Sequence, residues 1–282
     1  MSAKKYLPYL LAILSFVIVS LAYFYPVLEG KELFQSDIAQ FRGMASEVRE
    51  FREQNGEEPY WTNRGFGGMP TYQLSTYYPN DYIKKLDGLL RFLPRPADYL
   101  FLYFFSFFIL LRVLRTEWKT AVIGALGFGL STYLIIILGV GHNAKAHAIA
   151  YMPLVLAGIL WVFQGRYLQG FTLTAVAMAL EINASHPQMT YYLLFSVLIF
   201  GVVQMIEAWR KKGLPLFFKK VGILLGAVIL SIGVNSTSLM ATREYAAQST
   251  RSASELTINP DGSPREKSSG LSRGYITEYS FG

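Results

Sequence analysis

The 282-residue chain is 52% hydrophobic and only 16% charged, whereas a typical soluble domain carries about 25% charged residues. Its formal net charge of +7 does not indicate nucleic-acid binding, because the basic residues concentrate in short segments between apolar runs, where membrane topology explains them. The absence of cysteine excludes disulfides and thiolate zinc sites. Several apolar runs reach about 20 residues, enough for a helix to cross about 30 Å of hydrocarbon. The composition therefore predicts an all-α membrane protein with several spans.

The first apolar run covers residues 6–26 and follows the basic residues Lys4 and Lys5. It is longer than the apolar part of a signal peptide, and it ends in aromatic residues typical of a membrane interface. The sequence therefore predicts an uncleaved transmembrane helix within residues 1–26, with its N-terminus in the cytoplasm.

Residues 27–96 form the predicted first outer loop. From Ser36 onward, apolar side chains recur at near-helical spacing, at Ile38, Phe41, Ala45, Val48 and Phe51. This pattern predicts an amphipathic helix on the membrane surface. Asp37 at its start, with Gln40 three residues later, matches a helix N-cap in a capping box. A carboxylate held at the membrane surface can also act as a general base, so two roles stay open for Asp37.

Six further spans are predicted within residues 97–240, at about 98–114, 119–141, 146–164, 168–185, 187–208 and 219–240. Lys and Arg cluster in the loops after the second and sixth spans, and Arg166 follows the fourth, whereas the other two short loops contain a single Lys, Lys145. The positive-inside rule then places the basic loops in the cytoplasm. Seven spans put residues 241–282 outside, and we expect this segment to begin the truncated region of a longer protein.

The candidate binding and catalytic residues gather on the predicted outer face. They are Asp37 in the first loop and, at the span ends, His142, Lys145, His147, Glu181, His186 and Gln188. Ionisable groups near the hydrocarbon boundary are costly unless paired or solvated, so such clusters often mark functional sites. Polar residues also collect at helix ends because water is there, and both interpretations stay open. His142 and His147 would point about 140° apart on one helix, which disfavours a metal site built from histidines alone.

Four segments together resemble a known family: QSDIAQF in the first loop, then WTNRGFGGMPTY, GHNAKAHAIAYMPL and SHPQMTYYLL. After a single N-terminal span and in this order, they are similar to the YfhO-like bacterial membrane proteins, which are related to the GT-C glycosyltransferases. The resemblance extends from Tyr6 to the end of the chain, and members of that family are longer.

The resemblance implies a GT-C-like enzyme of the bacterial cytoplasmic (inner) membrane. Such an enzyme transfers a sugar from a lipid-phosphate-linked donor to a cell-envelope acceptor at the outer face. Asp37 matches the acidic residue that serves as catalytic base in that fold, and by analogy the amphipathic helix shapes the acceptor groove. We place His142, Lys145 and His147 near the donor phosphate from their charge. A divalent cation between Asp37 and the phosphate stays open, because related families differ in metal use.

Two other classes of protein fit the same residues. A transporter or flippase for a lipid or small solute also carries ionisable residues at span ends, but it should show paired broken helices or a repeat of one half in the other. Neither is visible in the sequence. A non-catalytic assembly subunit would use Asp37 as a replaceable helix cap. An enzyme that needs two carboxylates would require Glu181 or Glu244 to approach Asp37, since Glu47 falls on the polar face of the predicted helix.

Overall fold

The structure is a computed structural model of the chain. It describes residues 6–65, 67–248, 258, 262–264 and 273–280. Within these residues the chain is mainly helical, as the composition predicts, and its strands are the short antiparallel pair β1 (Trp61–Thr62) and β2 (Met69–Pro70). The chain forms two compact units that divide after Asn235.

The first unit contains all the helices that correspond to the predicted spans. In chain order its helices are α1 (Leu7–Tyr23), α2 (Ser36–Met44), α3 (Ser46–Asn55), α4 (Tyr82–Leu90), α5 (Ala97–Val113), α6 (Trp118–Gly129), α7 (Thr132–Val140), α8 (Asn143–Phe163), α9 (Tyr167–Asn183), α10 (Pro187–Arg210) and α11 (Leu214–Val234). Short 3-10 helices occupy Tyr25–Glu29 and Thr71–Gln73. The seven predicted apolar segments match α1, α5, α6 with α7, α8, α9, α10 and α11. The last of them begins earlier than predicted, because Pro215 starts it as a first-turn residue.

Three helices, α8, α10 and α11, are long and apolar enough to cross a membrane. A fourth candidate span results if α6 and α7, which meet at an angle of 48°, count as one broken span. Helix α1 is apolar but has 17 residues, and α5 and α9 have the same length. The described part of the chain thus has three or four candidate membrane-spanning helices.

Helix α8 lies at the centre of the first unit. In its most apolar stretch 72% of the residues are buried, compared with 11% in α10 and 17% in α11. It packs against α5 and α9, while α1 and α6 cover α5, and α11 packs on α9. Tyr103, Phe104 and Tyr151 are among the largest fully buried side chains of this core. The apolar and largely unburied surfaces of α10 and α11 are typical of membrane-spanning helices.

Two glycines allow α8 and α9 to approach closely. A Cβ atom on Gly158 would lie 2.6 Å from the backbone nitrogen of Thr174, and one on Gly170 would lie 2.6 Å from that of Val162. Small residues let helix backbones come together where lipid removes the hydrophobic drive for association. The separation of the two central helices therefore depends on these glycines.

Contacts between helix termini define one end of the first unit, here called the basic end. It is formed by the termini at Leu7, Val113, Trp118, Phe163, Tyr167, Arg210 and Leu214. Arg112 donates a hydrogen bond to the Tyr9 hydroxyl (3.3 Å), and Lys220 donates one to the Phe163 carbonyl (2.8 Å). The basic loops that the sequence predicts to share a side thus lie at one end of the helices.

The opposite end, here called the polar end, is formed by the termini at Tyr23, Ala97, Val140, Asn143, Asn183, Pro187 and Val234. The Asn183 amide donates to Asp81 at the start of α4 (3.4 Å) and to Asn235 after α11 (3.3 Å). Asp81 also caps α4 by accepting from the Lys84 backbone N–H (2.9 Å). The first loop therefore packs on the end that carries the candidate functional residues.

The single amphipathic helix predicted from Ser36 is wrong, because the structure divides it into α2 and α3 at Ala45. Gly43 lies in the last turn of α2, and glycine weakens a helix by about 1 kcal/mol relative to alanine. The Ser46 hydroxyl donates to the Gly43 carbonyl (2.9 Å), a local bond that competes with helix continuation. Glu47 on α3 accepts a hydrogen bond from the Thr62 hydroxyl (2.6 Å), which ties α3 to β1.

The second unit follows Asn235 and is described in part. It contains α12 (Ser236–Ala247), α13 (Arg273–Ser280) and an isolated bridge between Ile258 and Pro264. Most of the predicted outer segment 241–282 lies outside the described residues.

Candidate functional site

The first loop is anchored to the connection between α7 and α8. The buried Gln35 side chain donates to the Leu138 carbonyl (2.6 Å) and accepts from the Asn143 amide (3.4 Å). Gly141 ends α7 with a φ of +89°, and a Cβ atom there would lie 2.8 Å from the Gln35 Cβ. Both the left-handed backbone and the close approach require glycine at this position. Gln35 therefore holds the start of α2 against residues more than one hundred positions later.

This anchor places Asp37 beside His142. The Asp37 Oδ2 atom lies 3.1 Å from the His142 Nδ1 atom, and the two side chains are 50% and 56% exposed. Gln35, two residues earlier, occupies the N-cap position of α2, and Asp37 lies in the first turn. The N-cap interpretation of Asp37 is therefore wrong. The pair thus places a carboxylate and an imidazole side by side, and both side chains are open to water.

Lys145 and His186 are the other basic groups at this place. The Lys145 Nζ atom lies 5.2 Å from the centre of the Tyr133 ring. Burial, and then the charges of Lys145 and His142, lower the pKa of His186 below its ordinary value. The His186 Nδ1 atom is buried without a hydrogen-bond partner in the described part of the chain. Three of the predicted basic residues, His142, Lys145 and His186, are thus close enough for their charges to influence one another.

The same histidines begin two long helices. His142 occupies the N-cap position of α8 and His186 that of α10, and no described side chain caps either helix by a hydrogen bond. The first N–H groups of a helix lack intrahelical acceptors, and the helix dipole makes this end attractive to anions. Together with Lys145, the two helix starts give the polar end a local positive character next to Asp37.

We expect His186 to lose its proton below the pH of an unperturbed histidine, whose pKa is about 6.5, because its surroundings disfavour the charge. A folded-state pKa that is lowered means that the unfolded chain binds the proton more tightly, so the free energy of unfolding decreases as the pH falls below about 6.5. A nuclear magnetic resonance titration of the histidine rings measures this midpoint. Lys145→Met should raise it, and Lys211→Met at the basic end should leave it unchanged. A midpoint above about 6.5 would contradict the expectation.

His147 belongs to a second, buried group of side chains, here called the Asp87 cluster (Asp87, Arg91, Asp98, His147 and Tyr151). The Asp87 Oδ1 atom contacts the His147 Nε2 atom and accepts from the Tyr151 hydroxyl (2.7 Å). The Arg91 guanidinium donates to the Asp87 Oδ2 atom (2.7 and 2.9 Å). Arg91 also donates to Asp98 (3.0 Å). The cluster joins α4, α5 and α8, and it directs His147 to Asp87 instead of Asp37.

Every charge in the Asp87 cluster has a partner of opposite sign. Burial tends to raise the pKa of Asp87, but the hydrogen bonds from His147 and Arg91 outweigh it and hold the pKa well below its ordinary value. Burial also tends to lower the pKa of Arg91, and the bond with Asp87 raises it instead. The sequence interpretation missed Asp87 and Arg91, although their spacing of four residues matches a helical ion pair.

Glu181 and Gln188 lie at the hairpin between α9 and α10. Glu181 is fully buried, and both its carboxyl oxygens lie close to the Thr190 hydroxyl (2.9 and 3.0 Å). Gln188 is exposed and donates to the Tyr192 hydroxyl one turn later (2.8 Å). The hydrogen bonds of both residues thus remain within the hairpin, and the structure does not join them to Asp37.

Metal ligands are limited at this site. Among the described residues, no group of three His, Asp or Glu side chains is arranged to hold a metal ion. Asp37 and His142 supply two potential ligands. A divalent cation there would need further oxygen ligands from a substrate phosphate or water, as is common for magnesium.

Comparison with known proteins gives no relative: no protein-family model, curated protein or solved structure matches the chain. The resemblance to YfhO-like proteins thus stays a prediction from four sequence segments. Two of these segments meet in the structure, since QSDIAQF contributes Asp37 and GHNAKAHAIAYMPL contributes His142.

Proposed function

We propose that the chain is a membrane glycosyltransferase that moves a sugar from a lipid-phosphate-linked donor to an acceptor hydroxyl, with Asp37 and His142 at the reaction centre. The observation that carries this proposal is the contact between the Asp37 carboxylate and the His142 ring at the polar end. A general base must reach the proton that it removes, and the partial exposure of both side chains allows this. The neighbouring Lys145 and His186 suit an anionic donor.

In this proposal all seven helical segments cross the bacterial cytoplasmic membrane. The basic end and the N-terminus face the cytoplasm, in line with the positive-inside rule, and the polar end faces outward. Helices α1, α5 and α9, with 17 residues each, would span about 25 Å at 1.5 Å per residue. That length lies at the lower limit for a transmembrane helix. The contacts that gather the basic loops at one end support this orientation.

The proposed reaction is a single displacement at the anomeric carbon. Asp37 accepts the proton of the acceptor hydroxyl while the hydroxyl oxygen attacks, and the bond to the lipid phosphate breaks with its electron pair on the phosphate. The Nδ1 side of His142 orients the carboxylate. Lys145 and the positive dipole ends at the starts of α8 and α10 stabilise the charge that develops on the leaving phosphate. Helix α2, which carries Asp37, and helix α3 shape the acceptor side, and the sugar inverts.

We expect Asp37→Asn to reduce sugar transfer about 10²–10⁴-fold, the usual contribution of general base catalysis. The substitution keeps the size of the side chain, and its half-exposed position makes loss of folding a small effect. The assay uses the full-length protein in membranes with a panel of lipid-phosphate-linked sugars, with and without a chelator of divalent cations. Glu50→Gln, which alters an exposed carboxylate on the neighbouring helix α3, is the matched control and should transfer at the unmutated rate.

Unchanged transfer by Asp37→Asn would reject Asp37 as the base. Failure of the unmutated protein to transfer from any donor would reject the enzyme proposal and favour a transporter or an assembly subunit. Loss of transfer after chelation would indicate that a divalent cation takes part.

A transporter or flippase is the second candidate, and the break between α6 and α7 favours it. The two helices meet at 48° between Gly129 and Thr132, and interrupted helices often line the substrate path of a transporter. Reconstituted vesicles loaded with a labelled lipid or solute would test this candidate. Uptake or flipping by the unmutated protein that persists in Asp37→Asn would support transport. No uptake or flipping by the unmutated protein would remove the candidate.

A further inference from the structure

Glu181 is a carboxyl group enclosed in the hairpin of α9 and α10. Its relative exposure is 0%, and the buried residues around the hairpin are apolar: Leu180, Ala184, Met189 and Leu193. Among the described residues its hydrogen-bond partner is the Thr190 hydroxyl alone. The proposed sugar transfer gives this group no role.

The charged and titratable groups near this end of α9 do not neutralise Glu181. The neighbouring helices and their ends carry the following charged or titratable residues: Asp81, Lys84, Lys85, Asp87, Arg91, Lys145, His147 and His186. Arg91 bonds Asp87. Asp81 accepts from Asn183, while Asp87 and His147 bond each other. Lys145 lies over the Tyr133 ring. Burial and the Thr190 hydroxyl are the influences that act on the Glu181 carboxyl.

An ionised carboxylate in this position would be unfavourable. Burial of a charge without a counter-ion costs several kcal/mol, and one hydroxyl hydrogen cannot satisfy two anionic oxygens. A protonated carboxyl fits the same geometry. The Thr190 oxygen lies almost equally close to both carboxyl oxygens, so it can accept from the carboxyl O–H and donate to the carbonyl oxygen.

We propose that Glu181 is a proton-binding site, which holds its proton while α9 and α10 are packed as described and releases it when the hairpin opens to water. The sequence predicts that Glu181 contacts substrate, whereas in this proposal Glu181 binds a proton. Opening supplies the water that an ionised carboxylate needs. The site does not depend on the proposed sugar transfer, because its contacts are all within the hairpin.

Infrared difference spectroscopy of the full-length protein in lipid tests the bound proton. At neutral pH the unmutated protein should show the carbonyl band of a protonated carboxyl, and Glu181→Gln should lose that band completely. Thr190→Val should shift the band by removing its hydrogen bond. Glu207→Gln at the basic end, where the carboxylate is exposed and paired with Lys211, should leave the spectrum in this region unchanged. Absence of both the band difference and the Thr190→Val shift would overturn the proposal.

Hydrogen exchange measures the release. After correction for intrinsic rates, alkaline pH should increase exchange in the amides of residues 184–190 of the unmutated protein but not of Glu181→Gln, whose side chain cannot ionise. An equal increase in both proteins would overturn the link between proton release and opening. If Glu181→Gln does not fold, the Thr190→Val band shift decides whether Glu181 holds a proton. Whether release accompanies opening is then decided in the unmutated protein, where exchange should rise over the same pH range in which the carbonyl band is lost.

Discussion

Replacing Asp87 by Ala is expected to lower the free energy of unfolding by about 3–5 kcal/mol, because removal of one partner leaves buried charge uncompensated. Asp87 is the centre of the Asp87 cluster, where it contacts His147, Tyr151 and Arg91. Arg91 would keep its hydrogen bond to Asp98, so we expect the loss of unfolding free energy to lie at the lower end of this range. Denaturant unfolding of the purified protein in detergent, followed by tryptophan fluorescence, measures the change.

Asp81→Ala is the matched control, since it removes another aspartate from α4. Asp81 caps that helix, and loss of a cap costs about 1 kcal/mol. The two substitutions also differ in their pH dependence. The lowered pKa of Asp87 stabilises the folded state above the unfolded pKa of about 3.9. This contribution is lost as the pH falls further, so Asp87→Ala should remove that part of the acid sensitivity. Equal losses of unfolding free energy in the two variants would contradict the role of the Asp87 cluster in holding α4, α5 and α8 together.

Substitution of Gly158 is expected to separate the two central helices. Even the Cβ of Gly158→Ala would lie 2.6 Å from the Thr174 backbone nitrogen, and overpacking of this kind costs about 1–3 kcal/mol. Gly158→Leu adds a side chain to the same contact, and we expect a loss of about 3 kcal/mol or more. Thermal unfolding and the yield of folded protein in detergent measure both variants.

Gly201 provides the control for the α8–α9 contact. It also lies within a long helix, α10, but a Cβ atom there meets nothing within 4 Å. Gly201→Ala should be neutral or slightly stabilising, because alanine favours helix more than glycine does. If Gly158→Ala and Gly201→Ala unfold at the same temperature, the close approach of α8 and α9 does not limit stability.

The helical class and the positions of the seven apolar segments could be predicted because the length of an apolar run is a local property of the sequence. The interruption at Ala45 was missed, although Gly43 and Ser46 carry its signal. In this case the apolar periodicity continued across a break that local hydrogen bonds produce. Amphipathic spacing alone therefore overestimates helix length.

The site was predictable in part. His142 and His147 have separate partners, Asp37 and Asp87, while the angle expected between them stays a prediction. Of the two roles that local sequence leaves open for Asp37, the N-cap is wrong, because the cap position is Gln35, two residues earlier. The Asp87 cluster could not be predicted, since His147 follows Asp87 by 60 residues and no local pattern connects them.

The long-range contacts of Gln35 have a consequence for the order in which the protein is made. Its amide bonds to Leu138, 103 residues later, so the first loop cannot reach its final position until α7 and the start of α8 have emerged. At about 5–20 residues per second, translation of that interval takes roughly 5–20 s. During this time Asp37 lacks His142, and a chain released before α8 would carry the QSD segment without the residues that hold it. The reaction centre proposed here is therefore assembled late in biosynthesis, although its first member is made early.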